Sequence, residues 1–313
     1  MTTIPAVASK QVHNWLGSNK VLHDITLDVT PGTITSLVGP SGCGKSVLLK
    51  GFCGIMPPKK GNFFVRIDQN QFVDVVKPNP SVGMVFQDKT VFPFLNAIEN
   101  VAFGLKLLHT SIPYRIFAYP AWRKLRKAHL EEAAHWIEKV GLKGSEYKYP
   151  HELSGGMQQR LAIAQAMITK PRVLAMDEPF SALDEANREK QQRLLLTLRA
   201  ENEEAKKRGE EPPFTCIIVT HEINEAIYVG DRVVGLSQHW DWKSAGHETC
   251  PGAKIVYDKP APVFNPYDTV NYSSFIDQKT EILETVFQKS NIKESWKEKV
   301  NAAHVDENVV HTE

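Results

Sequence analysis

Gly39-Pro40-Ser41-Gly42-Cys43-Gly44-Lys45-Ser46 follows the apolar run TITSLV (33–38) and opens onto the apolar-periodic VLLKGFCGI (47–55). The octet fits G-x-x-x-x-G-K-[ST] at each fixed position, and its flanks predict a strand before it and a helix ending near Gly54. The glycines allow backbone N–H groups to turn inward around a β-phosphate, and the helix start adds the positive end of its dipole. Lys45 supplies a point charge to the β- and γ-phosphates, and the Ser46 hydroxyl is a candidate Mg²⁺ ligand. With Val47, the octet forms the candidate nucleotide-binding segment. A chance glycine turn would not carry both flanks.

A second element, VLAMDEP (173–179), is four apolar residues followed by Asp177 and Glu178. The apolar run predicts a buried strand, and α/β sheets place ligands at the C-terminal ends of such strands. Asp177 is placed to hold Mg²⁺ and Glu178 to polarise an attacking water as general base. Taken alone, the acidic pair reads equally as a helix cap. Beside a phosphate loop, it supplies the other half of a nucleotide-hydrolysis site.

Working outward, VLHDITLDV (21–29) and TITSLVG (33–39) read as strands joined at Pro31-Gly32. NFFVRI (62–67) and SVGMVFQ (81–87) form a second β-rich piece around a polar loop. From Phe94 to Lys170 the pattern is mostly helical, with Leu130, Ala133, Ala134, Ile137 and Val140 on one helix face. Strand character returns at RVLAM (172–176) and FTCIIVT (214–220). The expected fold class is α/β: a phosphate-loop NTPase core with a mainly parallel sheet, an antiparallel β region and an inserted helical subdomain. The expected limits are an ATPase domain over 1–258, with its core at about 10–87 and 160–258, the helical subdomain at about 88–159, and a helical tail at 259–313.

Composition narrows the function classes. The 313 residues suffice for one large domain or two small ones. Lys and Arg number 37 against 36 Asp and Glu, a balance that argues against a nucleic-acid coating protein. Apolar residues at 42% and charged residues at 23% suit a globular chain. No apolar run approaches the ~20 residues of a membrane-spanning helix. MTTIPAVASKQVHNW lacks the basic start and apolar block of a secretory signal. Four cysteines in so long a chain form no disulfide framework. A cytosolic location is expected.

Between the two phosphate-site elements lies Leu153-Ser154-Gly155-Gly156-Met157-Gln158-Gln159-Arg160. It resembles the signature of ATP-binding-cassette (ABC) ATPases. Ser154, Gly155 and Gly156 open the helical run MQQRLAIAQAMI (157–168), where hydroxyl, amides and dipole suit a γ-phosphate; an ordinary N-cap is the other reading of Ser154. The resemblance extends to Gln87 in VFQD, to Ser181-Ala182-Leu183-Asp184, and to His221 in IVTHE, in the family's order. It implies that Gln87 senses Mg²⁺ and couples to a transmembrane partner, that Asp184 belongs to the nucleotide site, and that His221 contacts the γ-phosphate. It also implies a head-to-tail dimer in which Ser154 of one subunit completes the other's site. The resemblance covers roughly residues 10 to 289.

One departure concerns the nucleobase. The family stacks adenine on an aromatic residue before the phosphate loop, and here the run reads Val12-His13-Asn14-Trp15-Leu16-Gly17. Leu16 stands at the aromatic's position with Trp15 beside it. Trp15 either stacks on the base after a small shift or packs as an ordinary tryptophan.

A single helical subdomain separates the Gly-rich loop from the signature, and the chain carries one cassette. These features disfavour the chromosome-maintenance and translation-associated relatives. FPFLNAIENVAFGL (92–105), GAKIVYDKPAP (252–262) and FIDQKTEILETVF (275–287) resemble the bacterial nitrate, sulfonate, taurine and bicarbonate importer group. The resemblance implies an ATP- and Mg²⁺-dependent subunit on the cytoplasmic face of the inner membrane. Its partners would be a second ABC subunit and transmembrane permeases, and indirectly a periplasmic solute-binding protein. No nucleic-acid partner is expected. A non-transport ABC switch acting on a soluble or nucleic-acid assembly is the alternative.

Three segments are longer than that group's pattern: 109–127, 200–213 and 238–251. The first interleaves Tyr114, Phe117, Tyr119 and Trp122 with Arg115, Arg123, Lys124, Arg126 and Lys127. It reads either as a solvated helix face or as a contact with the membrane partner or anionic headgroups, a reading favoured over nucleic-acid stacking by its nearness to Gln87. ENEEAKKRGEEPP (201–213) reads as a helix end and loop. His239, His247 and Cys250 match no standard four-ligand spacing, and their segment reads as a loop.

Overall fold

Helix α1 (Lys45–Phe52) sits between two β-sheets, and its apolar face explains how they are held. The first sheet is antiparallel, ordered β2-β1-β4-β5, from β1 (Val7–Leu16), β2 (Asn19–Val29), β4 (Lys60–Asp68) and β5 (Gln71–Asp74). The second is ordered β10-β9-β3-β8-β7-β6, from β3 (Ile34–Val38), β6 (Val82–Val85), β7 (Val173–Asp177), β8 (Thr215–Val219), β9 (Arg232–Ser237) and β10 (Lys254–Pro260). Within it, β9 to β6 run parallel and β10 is antiparallel to β9. The computed structural model describes residues 4–68, 71–88, 90–181, 183–266 and 275–287.

Every residue of β3, β7 and β8 is buried, as expected of parallel strands covered on both faces. The period of two divides their side chains between two cores. Val173, Ala175, Ile217 and Val219 point to α1 and the antiparallel sheet, joining Leu48, Leu49, Phe52 and Phe63. Leu174, Met176, Cys216 and Ile218 point the other way. There they meet a helical layer of α2 (Ala97–His109), α4 (Tyr119–Lys139), α5 (Gly155–Met167) and α6 (Glu185–Lys207). Ala133 and Ile137 of the predicted helix face are fully buried in that layer. A third cluster joins β9 and β10 to α7 (Ile223–Val229) and α8 (Ile276–Val286). No helix among the described residues is long and apolar enough to cross a membrane.

The expected α/β class, parallel sheet, antiparallel region and helical middle are all present. The second β-rich piece needs correction. NFFVRI enters the antiparallel sheet as β4, whereas VGMV pairs in parallel with β7 in the other sheet, and β5 lies between them. Two short apolar runs carry no information about which sheet receives them. The segment 109–127 becomes α3 (Ile112–Phe117) and the first half of α4. The end of α6 is held by Asn202, which accepts from Phe214 N–H at 3.0 Å and donates to Phe214 O at 2.7 Å. The tail beyond residue 287 lies outside the described residues.

The loop 238–253 lies on the antiparallel sheet. Trp240 stacks on His23 with ring centroids 5.7 Å apart, and its indole N–H donates to Gly252 O at 3.0 Å. His13 and His247 meet His23 edge-on at 4.9 and 5.0 Å, and the Lys254 ammonium lies 4.5 Å from the Trp240 ring centre.

Two predictions follow from this packing. Phe52 is fully buried with its ring 5.0 Å from Phe63, so Phe52→Ala should lower unfolding stability by about 3–5 kcal/mol in denaturant titration. The second concerns pH. Burial holds His13 and His23 below the ordinary histidine value; for His23, His13, Lys254 and His247 add to this, while Asp24 opposes. Lys60 also disfavours the charged His13. Unfolded imidazoles titrate near ~6.5, so this stabilisation is complete above that value and is lost as pH falls toward the depressed folded values. Amide exchange in 238–252, corrected for intrinsic rates, should therefore quicken from about pH 7.5 to about pH 5.5. His23→Phe should flatten the dependence.

Candidate functional site

The phosphate loop is set by two close backbone approaches. At Gly39 a Cβ would fall 2.2 Å from Leu236 O, so β9 leaves no room for a side chain. Gly44 caps α1 at φ +102°, and a Cβ there would meet Val21 and Leu22 at 2.7 and 2.8 Å. Pro40 is half-buried, Ser41 and Gly42 are exposed at the crest, and Cys43 is buried beneath them. Burial raises the Cys43 thiol pKa, against the opposing pull of Lys45. Its N–H bonds to Pro40 O at 3.3 Å. Lys45 is buried, and its ammonium donates to Gly39 O at 2.7 Å and Pro40 O at 3.1 Å, which holds the charge inside the loop. Val47, one turn in, packs on the core between the sheets.

The two sequence elements meet across the sheet. Ser46 Oγ donates to Asp177 Oδ1 at 2.9 Å, joining the start of α1 to the end of β7. Burial raises the Asp177 pKa, with Ser46, Lys50 and Lys45 opposing and Glu178 adding to it. Glu178 takes a left-handed backbone, φ +47°, which costs of order 1–3 kcal/mol in a non-glycine residue. Its N–H bonds to Val219 O at 2.9 Å, and its carbonyl accepts from Ser181 Oγ at 2.8 Å. Glu178 Oε2 then accepts from Gln87 Nε2 at 3.0 Å and lies 3.5 Å from His221 Nδ1. Gln87 and His221, 134 positions apart, thus converge on one carboxylate oxygen. The paired Ser46 hydroxyl and Asp177 carboxylate are oxygen donors, the kind a hard cation such as Mg²⁺ takes when phosphates and water supply its remaining ligands.

Sequence reasoning missed the support behind His221. Thr220 Oγ1 donates to Glu225 Oε2 at 3.0 Å and accepts from Glu222 N–H at 3.1 Å, fixing the turn that carries the histidine. Arg188 of α6 reaches Glu225 at 3.3 Å. Burial raises the Glu225 pKa, with the Thr220 hydrogen bond and Arg188 opposing. Thr220 and Glu225 are five residues apart, outside the S/T-x-x-E spacing of a capping box, so the sequence carried no local signal for this contact.

The signature turn stands apart. Ser154 caps α5 and accepts from Met157 N–H at 3.3 Å, with Gly155 and Gly156 as the first helical residues. Among the described residues no hydrogen bond ties this turn to the phosphate loop. Asp184 caps α6, its carboxylate accepting from Asn187 N–H at 2.8 Å and Asn187 Nδ2 at 2.9 Å. Ala182 lies outside the described residues.

A cavity of about 540 Å³ reaches Gly42 of the phosphate loop, and its walls include Leu16, Lys20, Val21, Gln238 and Cys250. Trp15 does not line it. Strand alternation turns Trp15 and Leu16 to opposite faces of β1, so only one of them can face the loop. Leu16, 47% exposed, lines the cavity.

The family model for ABC transporters matches residues 22–181. The aliphatic sulfonates import ATP-binding protein SsuB of Bacillus subtilis is 38% identical over 215 residues, 69% of this chain and 72% of its own. The sulfate/thiosulfate import ATP-binding protein CysA of Mesorhizobium japonicum is 34% identical over 260 residues, 83% of this chain and 67% of its own. In fold, the chain is similar to a dimeric ATP-binding cassette in a post-hydrolysis state bound to ADP and Pi, with a TM-score of 0.59 and 24% identity over 82% of this chain and all of that one. It is also similar to a Clostridium perfringens cassette, part of an ABC transporter complex, with a TM-score of 0.61 and 21% identity over 94% of this chain and 99% of that one. A strand–loop–helix phosphate site, a capped Ser-Gly-Gly helix and an acidic strand end, in this order and at this similarity, make the chain a member of the ABC transporter ATP-binding family, an ATP-hydrolysing cassette.

Proposed function

We propose that this chain energises solute import through separate membrane subunits, with the hydrolytic step centred on Glu178. The observation that carries the reading is the convergence of Gln87 and His221 on Glu178 Oε2, beside the Ser46–Asp177 pair. Lys45 and the loop amides would bind the β- and γ-phosphates, and Ser46, Asp177 and Gln87 would hold Mg²⁺. The ion, when bound, neutralises phosphate charge. Glu178 accepts a proton from the attacking water, worth ~10²–10⁴-fold in rate for a positioned base. Its contacts with Gln87 and His221 fix the carboxylate in place. His221, 55% exposed at the side chain, is also free to face a γ-phosphate.

The separation of Ser154 from the phosphate loop within one chain supports a site completed by a second cassette, in which Ser154, Gly155 and Gly156 present hydroxyl, amides and helix dipole to the partner's γ-phosphate. Asp184, at the α6 cap, would stand near that shared interface. The relatives' import functions support transport toward the cytoplasm, with permeases and a periplasmic binding protein as further components. The cassette would lie peripherally on the cytoplasmic face of the inner membrane. We read residues 1–258 as the ATPase unit and the segment from 259 as its helical tail.

The composite site is tested by size-exclusion chromatography of the isolated chain with ATP and Mg²⁺. Glu178→Gln keeps size and hydrogen bonding but removes basicity, so turnover should fall ~10²-fold or more while an ATP-dependent dimer accumulates. Ser154→Arg should remain monomeric, because the larger side chain blocks closure. Parental turnover in the first variant, or a dimer in the second, would overturn the reading. A second test addresses the base. Leu16→Ala should weaken binding of a fluorescent ATP analogue, and Trp15→Ala should leave it unchanged. The reverse result would return the stacking role to Trp15.

A further inference from the structure

Residues 107–119 hold an unusual share of the exposed apolar surface. Ile112, Ile116 and Phe117 of α3 are 68, 65 and 88% exposed, and no residue of this helix is buried. Tyr119 follows at 61%. A helix with no buried residue is not held by the core, and an apolar patch of this kind marks an interaction site.

The charge beside it is mostly positive. From Thr110 to Leu130 the chain contains five Lys or Arg and no Asp or Glu. Arg126 pairs with Glu99 at 3.2 Å, and Lys127 lies 3.8 Å from Glu131. Arg123 and Lys124 have no acidic partner among the described residues. With Tyr119, Pro120 and Lys127 they surround an open concavity of about 570 Å³. Apolar side chains on a short projecting helix, with a basic hollow next to them, match an interfacial element in which side chains enter the acyl boundary and cations meet phosphates.

We propose that the α3–α4 tip is a membrane-contact element that binds anionic phospholipid, with Ile112, Ile116 and Phe117 inserted and Arg123, Lys124 and Lys127 on the headgroups. The surface stands apart from the residues assigned to hydrolysis, so its role is separable from nucleotide chemistry.

The test is co-sedimentation of the full chain with phosphatidylcholine vesicles containing about 30% phosphatidylglycerol, and with pure phosphatidylcholine vesicles, at about 0.1 M salt. Binding should appear on the anionic vesicles and be near absent on the neutral ones. A surface Lys or Arg is worth roughly fivefold at an anionic membrane, so Arg123→Glu with Lys124→Glu should weaken partition by at least about 25-fold. Ile116→Ser with Phe117→Ser should weaken it as well. Parental ATP turnover in both double variants would show that fold and site are intact. Failure to bind either vesicle, equal binding to both, or unchanged partition after charge reversal would overturn the proposal. Retention only when permease subunits are present belongs to the first of these and would assign the patch to a protein partner.

Discussion

The burial of α1 between two sheets is the constraint on which the rest of the structure depends. Leu48, Leu49 and Phe52 have no exposure, and they meet β-strands on both sides. At roughly 1.5–3 kcal/mol for each large apolar side chain buried, this contact fixes the helix in position and rotation. The position of Ser46 beside Asp177 follows, because one residue begins α1 and the other ends a strand packed against it. Gly39 and Gly44 are the counterpart in the loop: the β9 backbone and the Val21 and Leu22 side chains of β2 approach so closely that a Cβ would collide.

A second consequence is the strained carboxylate. Glu178 follows a fully buried strand and turns left-handed at once, held by Val219 on one side and Ser181 on the other. The turn directs its side chain toward Gln87 and His221, which lie just beyond the ends of the neighbouring strands β6 and β8. Parallel strands bring their C-terminal ends to one edge, so residues far apart in sequence become neighbours there. The Thr220–Glu225–Arg188 contacts brace the histidine turn from behind, through α6 and α7.

The helical layer answers to a different demand. Its inner face is committed to the sheet, through Ala133, Ile137, Leu161 and Leu195, while α3 and the start of α4 remain outside any core. One layer therefore carries both a rigid support for the signature helix and an exposed tip whose surface chemistry differs from the rest. Ser154 caps its own helix and so presents its turn outward from a rigid base. That suits an element that acts on a second copy rather than on its own phosphate loop.

The phosphate loop, the acidic strand end, the signature and the α/β class were all legible in the chain, because each is a local pattern with a local physical cause. Apolar alternation marks strands buried on both faces, glycines mark turns that no side chain permits, and Ser154 marks a helix start. Trp15 and Leu16 show the limit, since two adjacent apolar residues give no sign of which faces the loop until β1 pairs with β2 and fixes the pleat. The destinations of NFFVRI and VGMV, and the placement of loop 238–253 against His23, depended likewise on packing between elements remote in sequence. Local patterns determine which chemical groups the chain carries and which backbone each can adopt. Only the tertiary structure decided which of them meet on Glu178 and which remain exposed on α3, because those choices are made by the mutual burial of sheets and helices and not by any one segment's own preference.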